Sequence, residues 1–353
     1  MGRNLLLFPS MKSATKTGVL LLNLGSPEAP TASAVRTYLA ALLGDPRVLE
    51  MPAPLRWLLL HGIILRTRPK FAAHAYSKIW TAEGSPLLVH TKAFVAGLAK
   101  QLGEEYVVEF AMSCGEPFIP GVVEKLLRLP LKELVIVPLY PQYASATVGS
   151  SVEAVMKALS THRNIPQLRT VSAFFDHPDY LNAVVETSAP ILESLKPDHV
   201  LFSYHGLPES QIRKGETTTG HCLSSNDSCC AEFGSKNFFC YRAQCFATTR
   251  SLVARLGLAP DAYSMSFQSR LGRTPWIQPY TEEMLVSLAK KGVRHLAVLT
   301  PSFVADCLET LEEIGIRASE TFIAAGGERL DLIPALNSSE SWTRAAAKII
   351  QNR

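Results

Sequence analysis

Residues 134–152 read Leu134-Val-Ile-Val-Pro138-Leu-Tyr140-Pro-Gln-Tyr143-Ala-Ser-Ala-Thr147-Val-Gly149-Ser-Ser-Val152. A short apolar, β-branched run stops at a proline, passes through aromatic and hydroxyl side chains, and enters a helical pattern over Val148–Leu159. Residues 296–314 repeat that order, with a strand over Leu296–Leu299, then Pro301, Phe303 and a helix over Ala305–Ile314. Outward from these two units, strands are expected at Val19–Leu24, Tyr106–Met112, Arg169–Phe174, Val200–Tyr204 and Tyr263–Phe267. Helices fall between them at Ala32–Leu43, Thr91–Leu102, Tyr180–Leu195, Gln244–Leu256 and Glu282–Lys291, and a last one at Trp342–Ile350 packs on either half. Strands alternating with helices imply an α/β fold, a parallel sheet covered on both faces. The echo between the halves fits either a duplicated architecture or coincidence between α/β units.

Length and composition agree with such a scaffold and exclude others. A chain of 353 residues suits two domains or one large α/β unit, so size gives no reason for disulfides. With 47% hydrophobic and 19% charged residues it is neither disordered, collagenous nor coiled coil. A net charge of +4, spread along the chain, leaves no nucleic-acid footprint. Near the N-terminus the apolar run Leu5-Leu-Leu-Phe8 is too short for a signal-peptide core, and Met11 is an alternative start to Met1. Leu55–Leu65, interrupted by Arg56, His61 and Gly62, falls short of the ~20 residues of a membrane span. The expectation is a cytoplasmic protein without a disulfide framework. Nothing in the sequence specifies an oligomer.

The cysteines are unevenly placed. Cys222, Cys229, Cys230, Cys240 and Cys245 fall within 24 residues, whereas Cys114 and Cys307 stand alone in apolar segments. Residues 209–241 have neither strand nor helix period, and a structureless stretch of that length implies that something organises it.

Three segments carry chemistry. Val200-Leu-Phe-Ser-Tyr-His205-Gly-Leu-Pro208 puts a histidine at the carboxyl end of a buried strand, where open α/β sheets bind ligands, although a ring that only caps the strand end would look the same. Ser264-Met-Ser-Phe-Gln-Ser-Arg270-Leu-Gly-Arg273-Thr-Pro-Trp276-Ile-Gln-Pro-Tyr280-Thr-Glu282-Glu283 leaves a strand and enters a helix with Thr281 as N-cap; acids there also serve as ordinary dipole complements. The aromatic loop Tyr140–Thr147 suits a flat ligand with polar edges, or a tight turn with a cap.

Together with Leu22-Asn23-Leu24-Gly25-Ser26-Pro27 and Pro301-Ser-Phe-Val-Ala-Asp306-Cys-Leu-Glu-Thr-Leu-Glu-Glu313, these segments in this order and spacing closely resemble ferrochelatases, which insert ferrous iron into a porphyrin. The resemblance runs from about residue 17 to the end. It implies two similar Rossmann-like domains with parallel sheets and the site in the cleft between them. The first spans 17–170, with helix 340–353 packing back on it, and the second spans 171–335. It implies His205 as proton acceptor and iron ligand and Glu283 as the catalytic glutamate completing the Fe²⁺ site, with Glu282 in support. Imidazole suits both tasks, since it titrates near neutrality and binds iron. For the porphyrin, the implied contacts are Leu24, Arg68, Tyr76, Ser85, Tyr140 and Trp276. The lip corresponds to Leu55–Leu65, with Trp57, Leu58, Leu59, Leu60, Ile63 and Ile64, followed by Arg66 and Arg68. It reads either as an amphipathic core helix or as an apolar edge that dips into a membrane surface, placing the protein peripherally on the inner membrane. Protoporphyrin and more carboxylated porphyrins present the same ring, and the likeness to proteobacterial members favours protoporphyrin.

The link after the histidine motif is longer than in typical members, and the inserted stretch 211–245 holds the clustered cysteines. Some ferrochelatases carry a [2Fe–2S] cluster, in certain bacterial ones on an internal segment, and the resemblance implies that type. Five thiols, Cys222, Cys229, Cys230, Cys240 and Cys245, compete for four places. A zinc knot is the alternative, weakened by the lack of a C-x₂-C pair. Rival functions are a cobalt or nickel chelatase for another tetrapyrrole, a non-catalytic porphyrin or haem carrier, and an iron–sulfur electron-transfer module.

Overall fold

The computed structural model describes residues 15–217, 220–223, 228–272 and 274–352; the alternative start at Met11 and Arg273 lie outside the described residues. Eight strands form two parallel four-stranded sheets. β1 (Lys16–Asn23), β2 (Tyr106–Met112), β3 (Leu131–Pro138) and β4 (Gln167–Thr170) lie in the order β2-β1-β3-β4. β5 (His199–His205), β6 (Tyr263–Gln268), β7 (His295–Leu299) and β8 (Arg329–Leu332) lie in the order β6-β5-β7-β8. The echo in the sequence is thus an architectural repeat, the same strand order used twice.

Side-chain alternation explains why both faces of each sheet need helices. In β1, Leu20 and Leu22 pack on Val123 and Leu126 of the Ile119–Leu127 helix and on Leu159, while Val19 and Leu21 join Phe94, Leu98 and Trp342 on the opposite face. In β5, Leu201 meets Leu285, Leu288 and Phe322, while Phe202 and Tyr204 face the other way with Leu252 and Tyr241. The layer holding Val19 and Leu21 is continuous with the one holding Phe202 and Tyr204, so the halves share one core. The Glu340–Gln351 helix helps to close it: buried Trp342 stacks on Phe94 (centroids 5.5 Å apart) and on Phe174 (5.6 Å).

Several elements differ from the sequence reading. The strand expected over Arg169–Phe174 ends at Thr170, because the chain peels off to give the Phe174 N–H to the Pro141 carbonyl (2.9 Å) and its ring to Trp342. The helix expected over Ala305–Ile314 starts only at Leu308. Asp306 is held by Thr310 Oγ1 (2.9 Å) and Asn337 Nδ2 (2.7 Å), and Thr310 Oγ1 takes the Cys307 N–H (3.0 Å), so these two residues stay outside it. The helix then widens into a π-helical turn over Glu313–Ala318. Similar turns occupy Leu60–Ile64 and Ser145–Gly149, so all three fall in segments the sequence marks for function, where such turns recur. The Ile119–Leu127 helix and β8 were not expected; Arg329-Leu-Asp-Leu332 is four residues with two charges and carries no strand period.

Candidate active site

The carboxyl ends of both sheets carry the candidate residues. His205 closes β5, and its ring lies 6.4 Å, centroid to centroid, from both Trp276 and Phe303. The ring Nδ1 is 2.6 Å from the Gly206 carbonyl, which fixes the ring's orientation. The main chain of His205 is held at both ends: its N–H reaches Ser302 Oγ (3.2 Å), and its carbonyl accepts from the Tyr241 phenol (2.8 Å). The next residue must be small, since a Cβ on Gly206 would stand 2.8 Å from the Gln268 carbonyl and 3.1 Å from the Trp276 ring. Imidazole and indole are therefore brought together as the sequence predicts.

Glu283 is exposed on the Thr281–Lys290 helix, where it lines an open groove with Lys290 and Thr321 and also a cavity that Ser269 and Glu313 share. Thr281, expected as that helix's N-cap, is buried instead and shares hydroxyl contacts with Ser203 (3.0 Å) and Ser266 (2.8 Å). A further carboxyl, Glu313, stands at the start of the π-helical turn and pairs with Arg317 (3.8 Å). Burial raises its pKa; hydrogen bonds from Ser269 and the nearby His205 charge only partly offset this. Ser269 grips it with its N–H and its hydroxyl (2.7 Å each), at a backbone φ of +66°. One α-helical turn earlier, the Gln268 amide donates to the carbonyl of Glu309 (2.8 Å). The signal for both acids was present in the quoted Glu309-Thr-Leu-Glu-Glu313 run, but a plain helix expected there concealed which side chains turn inward.

The first half supplies the facing wall. Tyr76 is buried, edge-on to Tyr38 (6.3 Å) and Trp80 (6.1 Å). Burial, and next the Tyr76 phenol, raise the pKa of Tyr38, while Tyr76 is raised by burial and then by the charge of Glu309. Tyr140 is raised by burial, then by Cys114 and, more weakly, Glu309, and its phenol oxygen is buried with no hydrogen-bond partner among the described residues. The charge of Glu309 in the second half thus bears on three tyrosines of the first, Tyr38, Tyr76 and Tyr140. Ser85 is buried at the N-cap of the Pro86–Leu102 helix with no side-chain capping bond. Leu24 is half-buried, and its carbonyl takes the Cys114 N–H (2.8 Å); the tight approach requires Gly25, where φ is +98° and a Cβ would meet the Cys114 carbonyl at 2.0 Å. Arg68 is exposed on the Leu65–Ile79 helix.

The lip divides by face. Leu60 and Leu65 pack inward with Leu43, whereas Leu55, Trp57, Leu58, Ile63 and Phe71 are between 58% and 79% exposed. The segment thus has one face packed inward and one exposed apolar face. Among the described residues no helix is long and apolar enough to cross a membrane.

All five clustered cysteines are buried. Cys229 Sγ lies 3.8 Å from Cys230 Sγ. Contact with Cys240 and then burial push the Cys230 thiol up, and burial raises Cys222, which also touches Cys240. Burial likewise raises Cys229. Cys245 sits inside the Tyr241–Leu256 helix beside the Tyr241 phenol, raised by burial. Cys222, Cys229, Cys230 and Cys240 therefore form one nest, with an Arg242 N–H aimed at Cys230 Sγ (3.4 Å). The donor chemistry fits an iron–sulfur group, though among the described residues no three His, Cys, Asp or Glu side chains stand arranged around a metal position.

Comparison with known proteins places the chain in a family. The ferrochelatase family model matches residues 16–353. A ferrochelatase of Coxiella burnetii (strain RSA 493 / Nine Mile phase I) is 42% identical over 340 residues, covering 96% of this chain and 94% of its own. One of Pseudomonas putida (strain W619) is 44% identical over 338 residues, covering 96% and 99%. Among solved structures, the sirohydrochlorin chelatase SirB of Bacillus subtilis subspecies spizizenii, in complex with cobalt, superposes with a TM-score of 0.53 at 12% identity, covering 96% of this chain and 94% of its own, a likeness of fold alone. By the family match over nearly its whole length and by its relatives, this chain belongs to the ferrochelatase family.

Proposed function

We propose that the chain inserts Fe²⁺ into protoporphyrin IX, releasing two protons and protohaem. The observation that carries this reading is the His205 imidazole at the end of β5, with the Glu313 carboxyl gripped by Ser269 just past the end of the neighbouring strand β6. Metallation removes two pyrrole N–H protons as iron enters. A neutral imidazole accepts a proton and ligates iron, and a carboxyl with raised proton affinity takes the proton onward. Glu309 and Glu313 replace Glu283 in this role. The macrocycle lies between the halves, 17–170 and 171–335, with Tyr140, Leu24, Tyr76 and Ser85 on one side, Trp276 on the other, and Arg68 meeting a propionate at the mouth. Helix 340–353 belongs with the first half. The exposed apolar lip rests on a membrane surface at its cytoplasmic side, where a greasy porphyrin partitions.

Cys222, Cys229, Cys230 and Cys240 hold a [2Fe–2S] cluster, leaving Cys245 as packing. When bound, the cluster cross-links the inserted segment and holds it in one conformation. The test of the main reading is anaerobic turnover of protoporphyrin with Fe²⁺, followed by the Soret and visible bands. Wild type forms protohaem, and His205→Ala loses at least about 100-fold in kcat, the upper range of a positioned base; undiminished turnover in the variant overturns the assignment.

A further inference from the structure

Three residues at the start of the Tyr241–Leu256 helix, Tyr241, Arg242 and Gln244, touch three separate parts of the site. The Tyr241 phenol holds the His205 carbonyl (2.8 Å). Arg242, only 2% exposed, gives one N–H to Cys230 Sγ (3.4 Å) and two to the Gln278 carbonyl (3.3 and 3.0 Å), with its guanidinium 4.6 Å over the Phe246 ring. Gln244 accepts the Tyr143 N–H (2.7 Å) and donates to the Phe238 carbonyl (2.7 Å).

The helix begins at the nest itself, since Cys240 is its N-cap residue, and Arg250 further along it donates to the Cys230 carbonyl (3.0 Å). On the other side, Gln278 lies two residues from Trp276, and Ile277 donates to the Leu207 carbonyl (2.9 Å) just beyond His205. One buried helix start therefore spans from a sulfur to the two loops that flank the imidazole. A planar guanidinium fixes the distance between its partners, so it transmits a shift at one end to the other. A charge this buried is also held in place by the partners it has, because leaving any of them is costly.

We propose that Tyr241 and Arg242 are positioning residues through which the thiol nest sets the histidine loop and the Trp276–Gln278 loop, so that the rate of chelation responds to changes at Cys230. The inference rests on His205 being the base. It requires no chemical step at the sulfurs, only a fixed register between the nest and the loops.

The test is a double-mutant cycle in the full-length protein. Wild type, Cys230→Ala, Arg242→Gln, the pair together, Tyr241→Phe and Arg242→Lys are compared for kcat and KM, and by hydrogen exchange of peptides 200–208 and 274–280. Each of Cys230→Ala, Arg242→Gln and Tyr241→Phe lowers kcat about five- to tenfold with KM within about twofold, as expected when geometry rather than binding is lost. The double variant loses no more than the worse single one. Exchange rises in both peptides and stays unchanged across residues 19–22. Arg242→Lys, which retains a donor for Gln278, recovers part of the loss. Multiplicative losses in the pair, or KM rising while kcat holds, overturn the proposal. Tyr241→Phe removes a single hydroxyl and keeps the ring, so it stays folded where a bolder variant does not; unchanged kcat and exchange in it also overturn the proposal. If His205→Ala keeps full turnover, the base assignment itself falls, an outcome distinct from additivity in the cycle.

Discussion

The two sheets share one strand order and end in opposite chemistries. At the carboxyl ends of β1 to β3 stand Leu24, Cys114 and Tyr140, with Tyr38 and Tyr76 nearby; burial pushes the Cys114 thiol to about 12 and raises all three phenols. These groups stay protonated and uncharged throughout the physiological range. At the ends of β5 to β7 stand His205, Gln268, Ser269 and Ser302, organised around an imidazole and the acids of the following helix. On the proposed reading, the doubled scaffold is divided into a wall that stays neutral and a wall that exchanges protons. A flat apolar ring that must lose two protons from its centre suits a site with one wall of each kind.

That division can be broken from either side. The largest effect is expected at Glu313: Glu313→Gln keeps both Ser269 contacts sterically possible but cannot take a proton, so kcat falls about 10- to 100-fold with KM nearly unchanged. A KM rise with kcat preserved would move Glu313 into substrate binding. On the neutral wall, Tyr76→Phe should raise KM for porphyrin about three- to fivefold and leave kcat within twofold, the pattern of lost uniform binding. Should kcat fall instead, the first half shares in the proton transfer and the contrast dissolves. The smallest activity effect belongs to Glu283→Gln, exposed on its helix, with kcat within about twofold as for surface substitutions generally. A loss matching that of Glu313→Gln would restore Glu283 to the site.

How much of this was legible beforehand follows from what each signal measures. The strands β1, β3, β5 and β7 were plain because central parallel strands are buried on both faces and read as unbroken apolar runs such as Val19-Leu-Leu-Leu22. Edge strands β4 and β8 are short and carry charges, so one was placed too late and the other missed. His205 was legible from its place after an apolar strand. Glu313 was not, because its inward aim depends on a π-helical turn, and that turn follows from Asp306 and Thr310 delaying the helix start. Spacing alone leaves all five cysteines eligible; what the fold adds is that Cys245 sits inside a regular helix, whereas Cys240 stands at that helix's N-cap.

The same glutamate gives the finest test, one of stability against pH. Glu313 binds its proton more tightly in the folded chain than in the unfolded one. Its contribution to stability is therefore complete below the ordinary carboxylate range and is lost as pH rises through its raised value. Above that value the wild type carries a partly buried ionised carboxylate, and glutamine at the same place does not. The Tm of Glu313→Gln minus that of wild type should accordingly increase between pH 4 and neutrality and then level off, as checked by thermal melts across that range. A variant that loses activity is then the more stable protein at pH 7, because the proposed proton-exchanging wall keeps an ionisable group where burial disfavours its charge. A Tm difference that is flat with pH, or that falls, would mean the carboxyl is solvated well enough to ionise freely, and the wall built around His205 would lose its distinguishing property.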